Sequence, residues 1–71
     1  MPKYDVQNHN DGEEKAVTQT ATSPTAALIF VVRDSMGGAI RGKLRIEALG
    51  GRDYAAYDDQ GLLGEFSVEA Q

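Results

Sequence analysis

Hydrophobic and polar positions follow two different rhythms in the second half of this chain, and almost none in the first. Residues 26–32 form an unbroken apolar run, rich in β-branched and aromatic side chains and stopped by Arg33-Asp34-Ser35. Such a run predicts a strand buried on both faces, or one at the centre of a small sandwich. Further on, Leu44, Ile46 and Ala48 alternate with Lys43, Arg45 and Glu47, the period-two pattern of a strand with one wet face. Tyr54-Ala55-Ala56-Tyr57 reads as a short strand with a tyrosine on each face. Phe66, Val68 and Ala70 then alternate with Glu65, Ser67 and Glu69.

Turn chemistry separates these segments at Asp34-Ser35-Met36-Gly37-Gly38, Leu49-Gly50-Gly51-Arg52-Asp53 and Asp58-Asp59-Gln60-Gly61. In the last, an aspartate can bond backbone two residues on while Gly61 takes a positive φ. The expected fold is all-β: a small antiparallel meander or half-sandwich of about four strands. Leu28, Phe30, Val32, Leu44, Ile46, Phe66 and Val68 are its expected core.

Residues 1–26 lack that rhythm, with Val6 and Val17 their only sizeable aliphatics. Burial of so little apolar surface does not repay the entropy of ordering a backbone, so a flexible polar tail or linker is expected over 1–26 and a small β module over 27–71. Pro24 biases Ser23 towards extended geometry, and a short helix around 12–17 is the local alternative. A second role for the tail is an address or docking arm that orders on a partner.

The chain has 71 residues and no cysteine, so neither disulfides nor thiolate metal sites reinforce it. Chains this short usually need a staple beyond their own core. A protein partner, or self-association into a homo-oligomer, is the expected one, and no cofactor is expected. The net charge of -4 is spread over both halves with no clustered lysines or arginines, which disfavours nucleic acid. No apolar stretch approaches the roughly 20 residues that span a bilayer as a helix. The N-terminus has no apolar segment of the classical secretion type, so cytoplasmic synthesis is expected, with any export by another route.

Chemistry is sparse. Asp53, Asp58, Asp59, Glu65 and Glu69 match no calcium-loop spacing and are expected to serve turns and solubility. His9, Ser23, Ser35 and Asp34 have no nucleophile elbow or oxyanion hole to organise them, so no enzyme is expected. Arg41, Lys43 and Arg45 share one face of the expected strand and are a candidate binding face for a phosphate, a glycan carboxylate or an acidic partner. Tyr54 and Tyr57 join them as candidates, one for the core and the other for an interface or a sugar ring.

The order Phe30-Val31-Val32-Arg33-Asp34, Gly37-Gly38-Ala39-Ile40-Arg41-Gly42, Leu44-Arg45-Ile46, Tyr54-Ala55-Ala56-Tyr57-Asp58-Asp59-Gln60-Gly61 and Phe66-Ser67-Val68 resembles transthyretin-like and carboxypeptidase-regulatory-like β-sandwich modules. Ala39 stands where such modules usually carry proline, and Gly61 lies several residues further from Phe66 than their common spacing. Val32, Asp34, Gly38, Ile40 and Gly42 also fit a phrase of the small modules attached to bacterial type VI secretion spike and effector proteins. That resemblance implies an adaptor role without catalysis, export without a cleavable signal, and more strands than four. The functions expected are therefore a protein-association or adaptor module, the N-terminal part of a larger secreted or phage-tail-like protein. The alternatives are a glycan-binding, cell-wall-targeting module or a non-catalytic fragment of a cell-wall hydrolase.

Overall fold

The computed structural model describes residues 1–9 and 16–71. Five antiparallel strands make one sheet: β1 (Lys3–Asn8), β2 (Ala16–Thr20), β3 (Arg45–Gly50), β4 (Asp53–Asp58) and β5 (Gly61–Ala70), in the spatial order β2-β1-β5-β4-β3. One helix, α1 (Pro24–Met36), and a short 3-10 turn at Gly37–Ala39 join β2 to β3. The mostly-β antiparallel expectation holds, with the second layer supplied by a helix rather than by further strands.

The apolar run at 26–32 is helical, contrary to the strand expected there. Ser23 is extended, as a residue before proline should be. In that geometry its Oγ accepts the Ala26 N–H at 3.1 Å and caps the helix, and Pro24 opens the first turn, where its missing N–H costs nothing. Ala27, Leu28 and Val32 are buried and Val31 is half-buried, a 3.6-residue stripe concealed in a sequence that is apolar all round. Phe30 falls off that stripe and is 55% exposed, so it is not the core residue it was expected to be.

The segment expected to be a tail supplies two strands. In β1, Tyr4 and Val6 alternate with Lys3, Asp5 and Gln7, and both apolar side chains are buried. β1 lies between β2 and β5, with Val6 opposite Val17 on one side and Val68 on the other. The helix considered around 12–17 falls largely outside the described residues, and its last two positions, Ala16 and Val17, belong to β2.

β5 is the spine, paired to β1 along one edge and to β4 along the other. Tyr4, Val6, Phe66, Val68 and Ala56 line the face beneath α1, and Leu28 and Val32 close over them. The helix packs chiefly on β1, β2 and β5. Half-buried Ile40, Leu44, Ile46 and Tyr54 pack at the margin of that core.

The turns at 49–53 and 58–61 follow the sequence; the one expected at Asp34-Ser35-Met36-Gly37-Gly38 does not, because Asp34, Ser35 and Met36 continue α1 and the chain turns only at Gly37–Ala39. Asp58 Oδ1 accepts the Gln60 N–H at 2.8 Å, and Gly61 takes φ +123, which favours glycine. A register shift in the β4–β5 ladder passes over Leu63, which packs against the core, while Leu62 stays exposed.

Candidate functional site

By strand alternation, the face of the sheet away from α1 carries Asp5 from β1, Ser67 and Glu69 from β5, Asp53 and Tyr57 from β4, and Arg45 and Glu47 from β3. At the β1 side, Asp5 Oδ1 accepts from Thr18 Oγ1 at 2.9 Å and from Gln71 Nε2 at 2.7 Å. Arg52, in the β3–β4 turn, pairs with Glu69 at 2.8 Å. Both partners are largely exposed, so the pair contributes little to stability.

At the other end of the face, Arg45 sits 5.8 Å from the centre of the Tyr57 ring, directly across the ladder. The neighbouring Glu47 carboxylate pushes the Tyr57 phenol above its ordinary range; burial adds to this, as does the phenol's hydrogen bond to Glu47, while Arg45 opposes it. Tyr57 therefore stays a neutral hydrogen-bond donor held between a cation and an anion.

The candidate binding residues do not share one strand face. Arg41 and Lys43 precede β3 in the connection from the helix, and of the three bases only Arg45 lies in the strand. Tyr54 is half-buried against the core under the helical layer, and Tyr57 lies on the opposite face. Sequence pattern separated the two tyrosines correctly, because alternation is a local property of one strand.

The backbone of Arg41 has a different role. Its N–H donates to Asp58 Oδ2 at 2.9 Å, and its carbonyl accepts the Asp59 N–H at 2.8 Å. Asp58 is buried, and the N–H groups of Arg41, Gln60 and Gly61 hold its carboxyl below the usual carboxylate range. This carboxylate fastens the connection into β3 to the β4–β5 turn, and so fixes where Arg45 and Glu47 stand.

His9 is brought to Ser67, which lies 58 positions further along the chain, and Ser67 Oγ also donates to Asp53 Oδ1 at 3.3 Å. The residue types are those of a nucleophilic triad, but the order is not. In a triad the histidine stands between the acid and the hydroxyl and removes its proton. Here serine stands between the histidine and the carboxylate. The arrangement links the residue that follows β1 to β5 and β4. Beside it, a depression of about 270 Å³ is lined by His9, Leu49, Asp53, Tyr54, Glu65 and Phe66. Among the described residues no three His, Asp or Glu side chains converge as a metal site, and no helix is long and apolar enough to cross a membrane.

The feature that sequence reasoning missed is the edge. β3 is the terminal strand of the sheet, with the ladder of β4 on one side only. Its Ala48 and Leu49 are exposed and Ile46 is half-buried. Alternation identified β3 as a strand, but strand order depends on pairings that no local pattern encodes. Comparison of the chain with protein-family models, with curated proteins and with solved structures finds no match.

Proposed function

We propose that this protein is a non-enzymatic association module that binds a protein partner along the β3 edge, an adaptor of the kind its transthyretin-like resemblance implies. A terminal strand offers unpaired N–H and C=O groups that a partner strand can satisfy, and side chains of alternating character give the pairing specificity. The single observation that carries this reading is the position of β3 at the sheet edge with Ala48 and Leu49 exposed beside half-buried Ile46. The opposite edge strand, β2, also has a ladder on one side only, and it carries no charged side chain and one large exposed aliphatic, Val17.

The test is site-specific photo-crosslinking in the cell that makes the protein, with the crosslinker at position 47 on β3 and, as control, at position 18 on β2. Adducts from position 47 alone are expected, whether the captured protein is a second copy or another chain. Equal capture from both positions, or none from position 47, would sink the proposal.

A further inference from the structure

We infer that the partner of β3 is β3 of a second copy, paired antiparallel about a two-fold axis through Ile46; this rests on the association reading above. An isologous antiparallel strand pair has one free choice, the residue on the axis, and that choice sets every facing pair.

With the axis on Ile46, Arg45 faces Glu47 of the second copy and Glu47 faces Arg45 of the second copy. Two opposite-charge pairs then form on the open face of the sheet. On the helix side, Ile46 meets its own copy and Leu44 meets Ala48, joining the half-buried and exposed apolar positions of the edge. Both sheets run on as one, with the two helices on the same side.

The other registers lose this match. An axis on Arg45 pairs Lys43 with Glu47 on either side but sets two arginines against each other at its centre, and one on Glu47 sets two glutamates against each other. An axis on Ala48 leaves Glu47 facing Leu49. An axis between residues 46 and 47 is not available, because a two-fold axis perpendicular to the sheet keeps each side chain on its own face and cannot set Glu47 of the open face against Ile46 of the helix side. Charged side chains usually discourage pairing at an edge strand, and charges of one sign repel a copy of the same strand in every register. β3 carries one charge of each sign two positions apart, which attracts a copy in one register.

The experiment is sedimentation of the full chain and three variants, with circular dichroism on each to establish that the fold persists. The wild-type chain is expected at twice its 7.6 kDa mass. E47R and R45E each place like charges in both facing pairs, so each is expected at the mass of a single chain, with self-affinity weakened at least about tenfold. An equimolar mixture of E47R with R45E restores both opposite-charge pairs and is expected to recover the dimer, as is the double variant R45E/E47R. This rescue reads the register, because a structural role for either residue would not be restored by mixing. A wild-type monomer overturns self-pairing while leaving a different protein partner to be found by the crosslinker at position 47. A wild-type dimer that neither swap disturbs, or disturbed variants that mixing does not rescue, overturns the Ile46 register.

Discussion

The Asp58 carboxylate accepts the Arg41 backbone N–H at 2.9 Å, joining two residues 17 positions apart. Through that bond the β4–β5 turn holds the chain as it leaves the helix and enters the edge strand. Its strength depends on the charge of Asp58. The group's pKa is lowered in the folded state, chiefly by the Arg41 N–H and then by that of Gln60. A lowered carboxyl pKa contributes stability that is present in full above the unfolded value, about 3.9, and is lost as pH falls through the folded value. Urea midpoints measured across the acid range should therefore fall more steeply for the wild type than for Asp58→Asn, which should be less stable at neutral pH. Parallel curves would remove Asp58 from this role.

Gly42 is the second half of the same clasp. It takes φ +81, and a methyl group there would run into the Asp59 carboxylate. Gly42→Ala is expected to lose about 1–2 kcal/mol from the backbone conformation alone, with the clash in addition. Adding Asp59→Ala should recover the steric part and leave the conformational part, so chemical denaturation of the single and double variants separates the two. Full recovery in the double variant would show that the backbone there is unstrained.

The two phenylalanines should behave in opposite ways. Phe66 is 1% exposed at the centre of the core, and Phe66→Ala is expected to cost about 3–5 kcal/mol, a large share of the stability of so small a domain. Phe30 is 55% exposed, and Phe30→Asp should leave the circular dichroism spectrum and the thermal midpoint nearly unchanged. A collapse of the Phe30 variant would place that side chain in a buried contact.

Tyr57 reports on the open face. Its phenol titrates above the ordinary 10.0, with the Glu47 carboxylate as the largest cause. Glu47→Gln should bring the Tyr57 titration down, followed by the ring resonances in NMR, while Arg45→Gln should drive it further up. Opposite responses to the two substitutions are required, because the two charges act on the same hydroxyl with opposite sign.

The residues that spell turns were legible. Asp58, Gln60 and Gly61 do what their types dictate, because a turn closes over four residues and needs nothing from elsewhere. The alternating segments over β3, β4 and β5 were legible for the same reason. The run at 26–32 was not, since a continuous apolar stretch fits a buried strand or a buried helix equally by composition. The Ser23 cap and Pro24 were the local signals that favoured a helix, and both were present in the sequence. β1 was hidden because Tyr4 and Val6 are two apolar residues among many polar ones.

By itself, then, the sequence determined an antiparallel, mostly-β chain, the turns between its last three strands, the separation of Tyr54 from Tyr57, and the absence of cysteine chemistry. Each of these is set by residues within a few positions of one another. Tertiary structure alone decided that β1 is an interior strand, that β3 is an edge, and that Asp58 clasps Arg41. Val6 becomes a core residue only when Val68, 62 positions later, lies beside it and Leu28 closes over the same core. Pairings across that much chain are stabilised by surface the partners bury together, so neither segment carries the signal alone.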